Sequence, residues 1–402
     1  MKRKLMVLLL LLTMVHGYAA AQLAAYPDLT MGDSGVKVAA LRQRLYDLGY
    51  LDSYVKHDDV YSEDIANAVR AFERQNGLKE TGVASPEVRQ LMFSAKAQGV
   101  ETGEQRQYED ISASGGPTKL VALPQRDEQG FLPPGSQPFI HADREDGRWI
   151  YLSDALQVDI SRYYQQAHEI EWFEAYIQTR GEEKPYTVLS EKKGKTVQPP
   201  KKLAQKFGSV FAITDDYFGY RVHNEKYTGV ILREGEILYE RTREENRKNL
   251  QPMEVMALFE DGTLQTFASD VFTGKEYLGM GVTDTWAFGP ILVQGGIVPR
   301  YYYSKEYHSY REPRCAFGMI EKGKYAALVV TGRKDDSHGA YFKWLAEKML
   351  DMGCVEALNM DGGNTAVMLF MGDMINRSVA GQRKSVRSVS GLIGFGQGAQ
   401  FE

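Results

Sequence analysis

Val355-Glu356-Ala357-Leu358-Asn359-Met360-Asp361-Gly362-Gly363-Asn364-Thr365-Ala366-Val367-Met368-Leu369-Phe370 is the stretch whose reading decides how the larger part of this chain folds. Its two ends are apolar runs of strand length, Val355 to Leu358 and Ala366 to Phe370, and its middle is a polar turn. Two consecutive glycines permit positive φ and a close approach of a ligand to the backbone, and Asp361 supplies a carboxylate at the same point. A hairpin turn accounts for Asp361-Gly362 by itself. Asn359, Gly363 and Thr365 put more hydrogen-bonding groups there than a turn needs.

Runs of the same kind follow one another from Phe139 onward: Val210-Phe211-Ala212-Ile213, Gly229-Val230-Ile231-Leu232, Val255 to Phe259 and Leu328-Val329-Val330. Glu234-Gly235 and Asp261-Gly262 read as hairpin turns. One helix is expected between Gly339 and Met352, where Tyr341, Leu345, Met349 and Met352 form a stripe and Gly353 ends it. Residues 139–400 therefore read as a sheet-dominated domain of the α/β or α+β class.

The chain before this domain has a different texture. Val38, Leu41, Leu45 and Leu48 recur on one helical face, then Ile65, Ala68, Val69 and Phe72, then Val88, Leu91 and Met92 behind Ser85-Pro86. Three short helices over residues 28–95 imply a small all-α domain. Residues 96–138 hold five of the 14 prolines (Pro117, Pro124, Pro133, Pro134 and Pro138) and read as a linker. Lys2-Arg3-Lys4, the apolar run Leu5 to Val15 and Ala19-Ala20-Ala21 have the three-part layout of a secretory signal, here placed at residues 1–21. That run falls short of the roughly 20 residues a membrane span requires, so a secreted chain with no transmembrane segment is expected.

Composition narrows the function. A chain of 402 residues with 43% hydrophobic and 11% aromatic residues has enough apolar side chain for two or three cores, which excludes disorder throughout. A formal charge of −5 argues against a general grip on nucleic acid. Cys315 and Cys354 are too few for a disulfide framework and read first as buried thiols, with a single bridge left open. His168-Glu169 is followed at 172 by Trp rather than a second His, so the helical zinc-protease motif fails, and no Gly-Lys-Ser/Thr phosphate loop exists.

What remains are polar residues at strand ends. Arg314 precedes a strand and Arg333 follows one, and a guanidinium binds phosphate through two parallel hydrogen bonds. As isolated residues they equally suit surface ion pairs. Thr214-Asp215-Asp216 closes another apolar run with paired acids, either a solvated loop or the second carboxylate of a site.

Two resemblances organise these pieces. Gly32-Asp33-Ser34-Gly35-Val36, Leu41-Arg42-Gln43-Arg44-Leu45, Leu48-Gly49-Tyr50-Leu51, Ala68-Val69-Arg70-Ala71-Phe72 and Asn76-Gly77-Leu78 resemble the three-helix peptidoglycan-binding domain of bacterial wall enzymes. Arg42 and Glu73 stand where that family commonly has glutamine. Ala212 to Phe218, Gly229 to Gly235, Ala287-Phe288-Gly289-Pro290, Arg314 to Gly318, Thr331-Gly332-Arg333, Ser337-His338-Gly339 and Asn359 to Thr365 are similar, in order and style, to the phosphodiester glycosidase family, which includes N-acetylglucosamine-1-phosphodiester alpha-N-acetylglucosaminidases. Thr214-Asp215 replaces an Asn-Gly often found before the acid of the first motif.

The second resemblance implies hydrolysis of a sugar-1-phosphodiester to free sugar and a phosphomonoester. On that reading Asp361 is general base or nucleophile, Asp216 the second carboxylate, and Arg314 and Arg333 hold phosphate with help from the Gly362 and Gly363 amides. Asn359, Asp335, Thr365 and Thr214 serve the sugar or the site's geometry. Calcium or magnesium is the alternative use of Asp216 and Asp361. The expected partners are peptidoglycan or another wall glycopolymer and the sugar-phosphodiester substrate. The competing reading is a non-catalytic binding protein for anionic wall glycopolymers.

Overall fold

The computed structural model describes residues 27–53, 59–102, 106–191, 196–219, 222, 228–242, 253–304, 309–376 and 386–399. The expected leader at residues 1–21 lies outside the described residues. The chain divides into two compact units, residues 1–105 and 106–402.

In the first unit the helices are Val36–Asp47, Glu63–Gln75 and Pro86–Met92. Val38, Leu41, Leu45, Ile65, Val69, Phe72 and Met92 are almost fully enclosed, as the three- and four-residue spacing requires. The third helix starts where Ser85 Oγ accepts the Val88 amide and Pro86 occupies the first turn. Both departures from the glutamine pattern have structural work. The Glu73 carboxylate accepts the Thr81 and Gly82 amides at 2.6 and 2.9 Å, and Arg42 binds Ser62 Oγ at 3.1 Å and Asp64 at 3.0 Å.

The second unit is an α+β assembly of antiparallel sheets. Its strands in the first half are β1 (Phe139–Asp143), β2 (Arg148–Leu152), β3 (Leu156–Gln165), β4 (Ile170–Thr179), β5 (Tyr186–Leu189), β6 (Phe211–Thr214), β7 (Ile231–Arg233), β8 (Glu236–Tyr239) and β9 (Glu254–Phe259). The remainder are β10 (Leu264–Phe267), β11 (Val282–Phe288), β12 (Ile291–Gln294), β13 (Arg314–Glu321), β14 (Lys324–Val330), β15 (Glu356–Met360), β16 (Met368–Phe370), β17 (Asp373–Met374) and β18 (Gly391–Phe395). Eight strands form one sheet in the order β1-β2-β3-β4-β14-β13-β15-β12. Smaller sheets run β17-β16-β6-β18-β5, β10-β9-β11 and β7-β8.

Alternation along the strands sorts side chains onto the two faces of the large sheet. Ile160, Phe173, Phe317, Leu358 and Met360 pack with Phe211, Ile213, Trp286, Met368 and Phe395 of the smaller sheets. Trp172, Ala316, Leu328 and Ala357 pack on the opposite face against Trp344, Leu345 and Met349 of the helix Phe342–Asp351. That helix begins three residues later than the apolar stripe predicts, because Ala340 forms a bridge with Glu312 instead. The Glu234-Gly235 and Asp261-Gly262 turns join β7 to β8 and β9 to β10 as expected, with Glu234 and Gly235 both at positive φ.

Cys315 and Cys354 are both buried free thiols, and they belong to the cores on opposite faces of the sheet. The Pro-rich stretch leaves Phe131 and Leu132 buried, Leu132 against Ile150 and Leu152 of β2, and Ser114 and Gly115 donate to the Tyr164 carbonyl in β3. Among the described residues no helix is long and apolar enough to cross a membrane.

Gly318 lies where β13 packs tightly on β15. A Cβ there would stand 3.0 Å from both the Ala357 Cβ and the Cys354 sulfur and would collide with the Glu356 carbonyl. Gly318→Ala is expected to destabilise the second unit by about 2 kcal/mol, the usual range for overpacking. Urea denaturation measures it, and an unchanged midpoint contradicts the packing described.

Candidate active site

Three chain segments far apart in sequence meet at the ends of β6, β7 and β15. The Asp361 amide donates to the Asp215 carbonyl at 3.0 Å, which ties the turn after β15 to the acids after β6. Thr214 Oγ1 donates to the Thr365 carbonyl and accepts the Val367 amide at 3.1 Å, so this fully enclosed hydroxyl clamps the one-turn helix Gly363–Thr365. The Thr365 hydroxyl donates to the Gly362 carbonyl at 2.6 Å. The turn is therefore fixed from inside by its own polar groups.

Asp216 is wholly buried, and its carboxylate takes Arg233 Nη2 at 2.9 Å and the Ala287 amide at 3.4 Å. Arg233 is itself 4% exposed and donates from Nη1 to the carbonyls of Leu232 and Thr285. Its Nη2 also stands 3.7 Å from Asp215. A buried ion pair needs acceptors for its remaining donors; these carbonyls take Nη1, while Nε is buried without an acceptor among the described residues. Arg233 further lines a cavity of about 400 Å3 with Thr187, Lys206, Phe207 and Glu234, whose lining includes neither Asp216 nor Asp361.

Asp361 retains 8% exposure. Burial is the main cause that pushes its carboxyl up to about 7; Thr365 and Arg387 oppose the shift, the Asp216 charge adds to it, and the Gly362 amide opposes it. Cys315, beneath the turn, has its thiol raised well above the ordinary range by burial and by the Asp361 charge. A carboxyl that titrates near neutrality can hold or release a proton under working conditions, the property required of a general acid or base.

Each residue selected from the sequence now has a place. Asp361, Asp216, Thr214, Gly362, Gly363 and Thr365 come together. Arg333 reaches the rim: its Nε binds Glu312 at 2.6 Å, its Nη1 binds Asn364 Oδ1 at 3.2 Å, and a Cβ on Gly363 would stand 3.6 Å from its Nη2. The Gly363 amide donates to the Pro313 carbonyl and the Gly362 amide to the Asp361 carboxylate, so both amides assigned to phosphate have protein acceptors. Asn359 is buried, donates to the Gly289 carbonyl at 2.8 Å and supports the Gly289-Pro290 turn behind the site. Asp335 stands exposed in the turn closed by the Lys334 amide and the Ser337 carbonyl. Arg314 shares the face of β13 that carries Ala316, opposite Cys315. Its guanidinium binds the Ala340 and Tyr310 carbonyls at 3.2 and 2.7 Å and lies 3.7 Å above the Phe342 ring.

Two arginines escaped the sequence reading. Arg233 hid at the end of an apolar run, where a strand-terminal cation looks like a solvated one. Arg387 acts on Asp361 electrostatically, lies 5.6 Å from the Phe218 ring and donates its amide to the Asn364 carbonyl. The basic run Arg383-Lys384 followed by Arg387 was the available signal. Among the described residues no group of three or more His, Cys, Asp or Glu side chains is arranged to hold a metal ion.

Two families match stretches of this chain. Residues 207–395 match the family described as phosphodiester glycosidase. The chain carries a phosphodiester glycosidase domain. Residues 34–92 match the putative peptidoglycan binding domain family. A Bacillus subtilis (strain 168) protein, SPbeta prophage-derived uncharacterized protein YomE, is 25% identical over 186 residues, 46% of this chain. The aligned part spans only 28% of that protein's length. Among solved structures, the zebrafish N-acetylglucosamine-1-phosphodiester alpha-N-acetylglucosaminidase catalytic domain, auto-inhibited by its pro-peptide, is similar at a TM-score of 0.47 and 15% identity, over 60% of this chain and 84% of that one. A hypothetical protein from Synechocystis is similar at 0.44 and 12% identity, over 60% and 62% of the two chains. The glycosidase match begins at residue 207, yet β4 pairs with β14 along its length, so the strands before 207 complete the same sheet.

The raised Asp361 carboxyl has a consequence for stability. A carboxyl whose folded pKa exceeds its unfolded value binds its proton more tightly in the folded chain, so stability falls as pH rises from about 4 to about 7. Asp361→Asn removes that loss. The glycosidase domain of the variant is expected to gain about 2–4 kcal/mol over the natural protein on going from pH 4.5 to pH 8. Parallel urea titrations at the two pH values measure the difference, and equal pH dependence in both proteins contradicts the burial of this charge.

Proposed function

We propose that this protein is a secreted, cell-wall-bound hydrolase that cleaves the bond between a sugar's anomeric carbon and the oxygen of a phosphodiester, on substrates of the N-acetylglucosamine-1-phosphodiester type. The observation that carries the reading is the convergence of Asp361 and the Arg233–Asp216 pair at one end of the sheets, with Arg333 and Arg387 adjoining the same turn. A matched peptidoglycan-binding domain on the same chain supports attachment to the wall and, with the leader-like N-terminus, an extracellular location.

In this mechanism a water molecule attacks the anomeric carbon and Asp361, as carboxylate, accepts its proton. The carbon–oxygen bond breaks and its electron pair stays on the phosphate oxygen, giving free sugar and a phosphomonoester. The leaving group is an anion whose second pKa lies near 6, so cations can stabilise it without a strong acid. In this reading Arg333 and Arg387, which adjoin the turn, take that role. Asp216 holds Arg233 and, as a neighbouring negative charge, keeps Asp361 basic enough to act.

Incubating the protein with a sugar-1-phosphodiester is expected to release sugar and phosphomonoester in equal amounts. The rate should rise with pH through about 7 as Asp361 loses its proton. Asp361→Asn should remain folded and lose at least about 10²-fold in kcat/KM. Binding of wall glycopolymer without product formation would favour the non-catalytic alternative. Near-normal turnover by the variant would reject the role given to Asp361.

A further inference from the structure

One acid at the rim of the Asp361 turn has no part in the proposed reaction. Glu312 binds Arg333 Nε at 2.6 Å, and both side chains are partly exposed. An exposed pair of this kind adds little stability. Arg333 nonetheless has a φ of 57°, a left-handed conformation uncommon for a residue with a side chain and one that tends to mark functional positions. The segments on either side of it are pressed together. A Cβ on Gly332 would stand 2.9 Å from Gly339 and 3.0 Å from the Pro313 nitrogen, and a Cβ on Gly339 would collide with the Glu312 carbonyl. Glu312 and Ala340 also exchange backbone hydrogen bonds.

The Arg333 guanidinium is held at two of its nitrogens. Glu312 takes Nε, and Asn364 Oδ1 takes Nη1 at 3.2 Å. Nη2 has no hydrogen-bond partner among the described residues and lies on the Gly363 side, where a Cβ would stand 3.6 Å from it. Through its carbonyl Asn364 also receives the Arg387 amide at 3.1 Å, so one residue joins both arginines that the proposed reaction gives to phosphate. An anion that meets Arg333 at Nη2 is then separated from the Glu312 carboxylate only by the guanidinium itself.

We propose that Glu312 is a specificity-determining residue, which lowers the affinity of this rim for phosphomonoesters relative to phosphodiesters. A diester carries one negative charge, whereas a phosphomonoester carries nearly two above its second pKa near 6. Arg333 alone would favour the dianion, because attraction scales with charge. The acid on the other side of the guanidinium repels by the same rule and removes part of that advantage. The diester substrate is thereby favoured over the monoester product, which leaves the site more readily after each turnover. This inference rests on the proposed reaction for the identity of substrate and product. Glu312 touches neither of them and acts through its charge on Arg333.

The test uses the full chain at about pH 8 and two small probes, methyl phosphate as the dianion and dimethyl phosphate as the monoanion, with binding followed by NMR titration. Glu312→Gln keeps an acceptor for Arg333 Nε and removes the charge. It is expected to raise the affinity for methyl phosphate relative to dimethyl phosphate about threefold, the effect of one unit charge at roughly 6 Å in water. Glu312→Asp, which keeps the charge, should leave the ratio as it is in the natural protein. A purely structural role would move both affinities together. A ratio unchanged in Glu312→Gln, a ratio that shifts as far in Glu312→Asp, or no binding of either probe to the natural protein overturns the inference even where a sugar-1-phosphodiester is turned over. A ratio that shifts in Glu312→Gln and stays natural in Glu312→Asp upholds it even where the natural protein turns over no such substrate, an outcome that would reject the reaction instead.

Discussion

The Arg233–Asp216 ion pair is the constraint on which the candidate site depends. Both charges are out of water, and each would be costly there alone. Arg233 donates to Asp216 and to the carbonyls of Leu232 and Thr285, so the end of β6, the β7–β8 hairpin and β11 must all be in register for these bonds to form. Such a pair adds little net stability over a well-packed apolar contact, yet losing one member strands the other. Its effect is to tie these strand ends together, and the Asp216 charge held there adds to the shift that burial imposes on Asp361.

The same network explains why so many polar groups near the turn face inward. Thr214, Thr365, Asn359 and the Gly362 and Gly363 amides all have acceptors or donors within the protein, and together they fix the backbone that carries Asp361. Rigidity matters for proton transfer, because a carboxyl misplaced by an ångström loses much of its catalytic use. What remains for a ligand is the edge of Asp361 and the arginines adjoining the turn. On the proposed function, attachment through the unit that matches a peptidoglycan-binding domain would raise the concentration of polymer met by the other.

Much of the fold was legible from local pattern. The three N-terminal helices, the two hairpin turns, the helix ending at Gly353 and the Asp361 turn follow from periodicity and from Gly placement. Asp216 was legible as a carboxylate at a strand end. The missing information was which ends meet. β6 pairs with β18 and β16, strands more than 150 residues away, and no spacing in the sequence announces that pairing. Arg314 was assigned to phosphate because it precedes a strand, whereas the pleat of β13 turns it toward Phe342. Arg233 was passed over because a cation before a turn has the same sequence signature whether it faces water or a buried acid.

The central claim is that the Asp361 carboxyl, enclosed beside Asp216 and Arg387, holds its proton up to neutral pH. Carbon-13 labelling of aspartate carboxyls, with the spectrum of Asp361→Asn subtracted, follows this one group through a pH titration. The account predicts a midpoint near about 7. A midpoint near 4, the value of a solvated aspartate, would contradict it.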